Sequence, residues 1–264
     1  MRGVLPVVRK AKAAGFKSCI VPKENGKEGA VVEGIEVYGL GCLQEVADFL
    51  RQYKAPPFEP AQVDLEKIFR QQEEKGPDFA DIQGQKEVRR AAEIAAAGFH
   101  HLLMIGPPGS GKTMIAKRIP SILPPMSLEE SLEVSTIYSV AGLLKEKQSL
   151  VCRRPFLSPH HTISEHALAG GGKIPRPGVL SLSHRGVLFL DELTEFKRTT
   201  LEILRQPIED KEVQIARSSG TFTYPASCLI VGAMNPCPCG YYPDRNHCSC
   251  SPWEIDRYLH KISG

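Results

Sequence analysis

The chain has 264 residues, 42% of them hydrophobic, enough for one large domain or one and a half ordinary ones with a sizeable core. The 33 Lys and Arg against 30 Asp and Glu leave +3, which neither demands nor excludes a polyanionic partner, because a basic face can sit within a balanced total. No apolar run approaches the roughly 18 residues of a membrane span and the start lacks a charged-then-apolar signal pattern, so the expectation is a cytoplasmic protein with no membrane partner.

Residues 1–53 alternate short apolar segments with turn signals: VLPVV read as a strand, a helical AKAAG, then KSCIVP, EGIEVYGL and the amphipathic LQEVADFLRQY. This predicts a small β-α-β-α piece. Residues 54–80 carry four prolines, many charges and few apolar positions, which suits an exposed linker with one short helix. The rest, 81–264, reads as a larger domain. QKEVRRAAEIAAAG is a helix closed by Gly98, and HHLLMIG is a compact buried strand ending in a glycine-rich turn. VLFL (187–190) and CLIVGAM (228–234) are further apolar strands, separated by helical text such as TTLEILRQPIE. Strand and helix alternating in this way predicts an α/β fold whose parallel sheet is covered on both faces.

GPPGSGKT, comprising Gly106, Pro107, Pro108, Gly109, Ser110, Gly111, Lys112 and Thr113, matches G-x-x-x-x-G-K-[ST] between a strand and a helix. Its glycines let successive backbone N–H groups converge on a phosphate at the positive end of a helix. Lys112 reaches the β and γ oxygens of ATP, and the Thr113 hydroxyl binds Mg²⁺. RGVLFLDE ends a strand in two carboxylates: Asp191 can hold the metal and Glu192 can polarise the attacking water. CLIVGAMN places Asn235 at another strand end, where a neutral amide can orient the same water. Together these describe a P-loop ATPase without saying what the ATP is for.

MNPCPCGYYPDRNHCSC holds four of the eight cysteines. Cys237-x-Cys239 and Cys248-x-Cys250 can converge on one tetrahedral zinc, with His247 as a substitute ligand. Reduced thiols without a ligand and disulfides remain the alternatives, the latter disfavoured in a reducing compartment. His160, His161 and His166 in HHTISEHALAGGG lack cysteine or acidic ligands at matching spacing, so a glycine-rich insertion loop is the reading there. EVQIARSSGTFTYPA predicts a hairpin around Ser219-Gly220. Arg217, beside its turn, is either a phosphate contact or a solvated side chain.

The stretches RPFLSPHHTISEHALAGGGKIPRPGVLSLSHRGVLFLDELTEF, LRQPIEDKEVQIAR and AMNPCPCGYY resemble the magnesium-chelatase-like AAA+ ATPases of the YifB/ComM group, and the similarity runs along nearly the whole chain. The resemblance implies a P-loop AAA+ three-layer α/β/α domain of magnesium-chelatase type at 81–264. It also implies a partial Lon-like (ribosomal S5-like) α+β domain at 1–53. It gives Lys112 and Thr113 as Walker A residues, Asp191 and Glu192 as Walker B residues, and Asn235 as sensor 1. A hexameric ring follows, with DNA as partner and helicase or branch-migration activity in recombination of incoming DNA. The other readings are an ATPase that drives metal insertion into a porphyrin and a regulatory nucleotide-binding module. The segment matching the lysine-bearing part of the Lon protease domain reads Gly3-Val4-Leu5-Pro6-Val7, so no Lon-type proteolysis is expected. The chain stops at YLHKISG, before the family's helical lid, and so is read as a fragment whose trans-acting arginine and second sensor lie elsewhere. Arg153, Arg154 and Arg176 are candidates for contacts only.

Overall fold

A computed structural model of the chain describes residues 1–52, 57–73, 76–144, 149–172, 175–217 and 220–262, the side chains of 71–73 and 217 excepted. The chain forms two compact units, one of Met1–Lys75 with Met126–Arg153 and one of Gly76–Pro125 with Arg154–Gly264.

In the first unit VLPVV opens the helix Val4–Ala13 instead of forming a strand. Val4, Leu5 and Val8 lie fully buried along it. Pro6 sits in the first turn, where a missing N–H costs no intrahelical bond. Strands β1 (Ser18–Pro22) and β2 (Glu36–Leu40) pair in parallel, and the helix Leu43–Arg51 follows. The linker helix is present at Leu65–Glu73. Val63, Leu65, Ile68 and Phe69 nonetheless pack against the core of Val4, Leu5, Val8, Val37 and Leu150. Ala61 N also donates to Val37 O at 2.7 Å. The apolar stripe at 65, 68 and 69 belongs to a docked helix, and so this unit runs past the expected boundary at 53. The helix Leu128–Ala141, opened by the capping box of Ser127 and Glu130, adds Leu128 and Leu132 to the same core.

The second unit contributes β3 (Leu102–Ile105), β4 (Phe156–Leu157), the two-residue pair β5 (Gly170–Gly171) and β6 (Arg176–Pro177), β7 (Val187–Leu190), the hairpin β8 (Glu212–Arg217) and β9 (Gly220–Pro225), and β10 (Leu229–Met234). The main sheet is parallel throughout, in the order β3-β10-β7-β4. All four residues of β7 are buried. Val187 and Phe189 pack with Ala92, Ala96 and Ile115 on one face, while Leu188 and Leu190 pack with Leu168, Leu180, Phe196 and Leu204 on the other. Side chains alternating along a strand thus build the three-layer α/β/α arrangement, and a strand covered on both faces has no polar side.

β3 departs from the expected compact buried strand. Met104 is buried, but Leu103 and Ile105 are 48% and 56% exposed, because β3 lies at the sheet edge and these two share the face opposite Met104. HHTISEHALAGGG is more ordered than a glycine loop: Ser164 caps the helix Glu165–Ala169, Leu168 is buried, and Gly170 pairs with Pro177. A Cβ on Gly178 would lie 2.3 Å from Gly170 N, a close approach that only glycine permits. The hairpin strands form with Arg217 opposite Gly220; Ser219 and the Arg217 side chain lie outside the described residues. Among the described residues no helix is long and apolar enough to cross a membrane.

Candidate active site

The carboxyl ends of β3, β7 and β10 carry the sequence-selected residues, as expected for a ligand site in a parallel α/β sheet. After Ile105 the chain turns through Gly109 (φ 76°) and Gly111 (φ 85°), both in the left-handed region, and enters the helix at Lys112. Gly106 N donates to Met234 O at 3.2 Å, pinning the loop to β10 one residue before Asn235. Gln85 Nε2 donates to Ser110 O at 3.1 Å, a support that no motif flagged in the sequence. Lys112 Nζ donates to Gly106 O at 2.6 Å, Pro107 O at 3.0 Å and Asn235 Oδ1 at 3.3 Å. Burial pushes its ammonium below the ordinary lysine value, and Asp191 opposes that shift.

Thr113 Oγ1 donates to Asp191 Oδ2 at 2.7 Å, so the two proposed metal ligands already share a point in space. Asp191 Oδ1 accepts from Glu192 N at 3.0 Å. Glu192 has φ 52°, a left-handed turn that swings its side chain away from the strand axis. Its carboxylate is 63% exposed and lies 3.4 Å from His161 Nδ1. His161 lies against His160 with the two rings tilted by 34°, and His160 Nδ1 meets the Thr162 hydroxyl at 2.9 Å. The three histidines therefore form no metal cluster among the described residues, but one of them reaches the candidate catalytic acid.

A cleft of about 590 Å³ opens in front of Lys112, Asp191, Glu192 and Asn235. Its far wall is the helix Pro252–Leu259 with Lys261, presenting Trp253, Arg257 and Tyr258. Sequence reasoning did not assign this wall, although the capping box of Ser251 and Glu254 with Pro252 at the first position was a readable helix start. Thr194 Oγ1 donates to Tyr258 Oη at 2.8 Å in a buried contact, and Lys261 Nζ lies 3.6 Å from Glu195. Both bonds tie the wall to the segment just after Asp191 and Glu192.

The donor set fits a nucleotide with Mg²⁺. The loop offers N–H groups around two left-handed glycines, one ammonium, and a hydroxyl–carboxylate pair. Ser110 Oγ in the same loop is buried without a hydrogen-bond partner. Among the arginines, Arg154 donates to Pro124 O at 2.6 Å and Arg185 O at 2.7 Å, which makes it a loop brace, and Arg176 is exposed on β6. In the cysteine segment the four Sγ atoms of Cys237, Cys239, Cys248 and Cys250 lie within 4.8 Å of one another, and none of the eight cysteines forms a disulfide. A backbone N–H of Tyr241 draws the Cys239 thiol down to about 6. His247 is turned to Asp244 at 2.7 Å.

Residues 78–264 match the model of the family described as magnesium chelatase, subunit ChlI. The chain belongs to the magnesium chelatase subunit ChlI family. Within it, the chain is 46% identical over its whole length to an uncharacterized protein of Mycobacterium tuberculosis, 43% identical to the uncharacterized protein YifB of Escherichia coli, and 40% identical to the competence protein ComM of Haemophilus influenzae. Each alignment takes in 100% of this chain and 51% of the relative, so the chain spans about half the length of the curated relatives it matches. The likeness to YifB and ComM places this ChlI-family chain in the YifB/ComM group, as its motifs implied.

Proposed function

We propose that the chain carries the nucleotide site of an ATP-hydrolysing AAA+ ring motor, a hexamer in the complete protein, that acts on DNA as a helicase or branch-migration factor in recombination of incoming DNA. The observation that supports it most is the meeting of Thr113 with Asp191 at 2.7 Å and of Lys112 with Asn235 at 3.3 Å, which joins three strand ends at one cleft. MgATP supplies the reactive phosphoanhydride and a divalent charge. The loop N–H groups and Lys112 hold the β and γ oxygens, while Thr113 and Asp191 keep the metal position. Glu192 takes the proton of the attacking water, and Asn235 fixes that water's orientation. The DNA reading is supported by likeness to a competence protein; a porphyrin-metallating ATPase is the second reading, favoured by the family match itself.

The experiment is steady-state ATP hydrolysis by the full-length protein alone, with single-stranded DNA, and with a branched junction. Stimulation of about tenfold or more by either DNA is the expected result. Intact basal hydrolysis that neither DNA changes would remove the DNA assignment and leave the ATPase.

A further inference from the structure

Seventeen residues separate β10 from the helix Pro252–Leu259 with no helix or strand among them, and Tyr241 and Tyr242 face solvent. Such a segment has no apolar core of its own, and something else must hold its shape. What lies at its centre is sulfur. Cys237 is buried and Cys239, Cys248 and Cys250 half-buried around it. Cys237 Sγ is 3.3 Å from Cys239 Sγ and 3.8 Å from Cys248 Sγ, and Cys239 Sγ is 3.6 Å from Cys248 Sγ. A tetrahedral ion with Zn–S bonds of about 2.3 Å sets its sulfurs about 3.8 Å apart, so the cluster has the dimensions of a closed tetrathiolate shell. Tyr242 N donates to Cys237 Sγ at 3.4 Å, the kind of outer bond that orients a metal thiolate. His247 is occupied by Asp244, so four sulfurs complete the set without it.

The segment also touches the nucleotide cleft at both ends. Asn235 precedes Cys237 by two residues, and Pro238 lines the cleft. A Cβ on Gly240 would lie 2.6 Å from Pro108 Cδ, so the loop rests directly on the phosphate-binding loop. On the other side Ser251, next to Cys250, caps the helix that carries Trp253, Arg257 and Tyr258 into the cleft.

We propose that Cys237, Cys239, Cys248 and Cys250 bind one structural zinc ion, which staples the loop after β10 and thereby positions both Asn235 and the helical wall of the cleft. Four thiolates leave no ligand position for water, so the ion is not catalytic. The metal site stands by itself; its positioning role rests on the nucleotide reading above.

The test uses the full-length protein. Metal analysis is expected to find about one zinc per chain, released as about four thiols are titrated by an organomercurial. N-ethylmaleimide is expected to modify exposed Cys42 at once and the four cluster cysteines only after chelation. Zinc well below one per chain after growth and reconstitution in zinc, with cluster thiols reacting as fast as Cys42, overturns the site. So does stoichiometric iron in its place. For the positioning role, zinc removal is expected to shift the emission of Trp253, the single tryptophan, and to weaken binding of a fluorescent ADP by about tenfold or more. Cys248→Ser should do the same, with Cys42→Ser as the control that does neither. Unchanged Trp253 emission and ADP affinity in the zinc-free protein overturn the positioning role. Lys112→Ala separates the two readings: it is expected to keep its zinc while losing nucleotide.

Discussion

Lys112 and Glu192 sit at one cleft but their substitutions should separate binding from turnover. The ammonium of Lys112 bridges the loop carbonyls and Asn235, and no neutral side chain can replace its charge on a phosphate. Lys112→Ala is therefore expected to lower the affinity for a fluorescent ATP analogue by about a hundredfold or more in equilibrium titration. Glu192 makes no bond that holds the loop, so Glu192→Gln should bind ATP near the parent affinity while kcat falls by about 10²–10⁴, the usual range for a lost general base. A Glu192→Gln protein that hydrolyses at the parent rate would take the catalytic assignment away from this residue. His161 adds a finer test. Its Nδ1 lies 3.4 Å from a Glu192 oxygen that would otherwise face water, so the two compete for one acceptor. His161→Ala is expected to raise basal kcat by about two- to fivefold with ATP affinity unchanged; a fall in kcat would mean that the imidazole orients the carboxylate instead.

Among the elements, the pairing of β4 with β7 depends on backbone contact. Val187 N donates to Pro155 O at 2.7 Å, and a Cβ on Gly186 would come within 2.1 Å of that same carbonyl oxygen. Backbone cannot yield as a side-chain tip can, so Gly186→Ala should destabilise the unit by about 2 kcal/mol or more, seen as a lower denaturant midpoint. The elements also show where sequence is readable. VLFL and LIVGAM were plain as strands because burial on both faces leaves an unbroken apolar run. VLPVV was misleading because its β-branched residues fit a strand, yet its proline, which a strand ladder tolerates poorly, costs nothing in the first helical turn, and Val4, Leu5 and Val8 close one helical face. The turn Gly106–Thr113 and the carboxylates Asp191 and Glu192 were legible as a candidate phosphate site, and the structure brings them to one cleft, because such chemistry fixes residue type and spacing. His161 and Gln85 were not, since a single histidine or glutamine acquires its role only from a fold that brings distant chain segments together. The wall residues Trp253 and Tyr258 were hidden for the same reason: the Thr194–Tyr258 bond spans 64 residues.

At the scale of the whole molecule, the chain leaves the second unit after Pro125, builds part of the first with Met126–Arg153, and returns. The two ends of this excursion lie together, since Arg154 Nε donates to Pro124 O at 2.6 Å. Such an insertion can be cut out without stretching the host. The first unit, by contrast, would lose Leu128, Leu132 and Leu150 from its core, together with the buried bond from Val151 N to Ser135 Oγ at 2.8 Å. Fully buried Leu150 contributes about 1.5–3 kcal/mol and the half-buried Leu128 and Leu132 add to it, whereas a small domain holds only about 5–15 kcal/mol in all. Replacing Met126–Arg153 by a short Gly/Ser linker is thus expected to leave ATP affinity within about threefold of the parent, because none of the described residues that line the cleft comes from this stretch. The same variant should expose residues 1–75 to rapid cleavage in limited proteolysis while residues 154–262 stay protected. Protection of both units would mean that the first folds without its inserted helix; loss of nucleotide binding would mean that the insertion shapes the cleft.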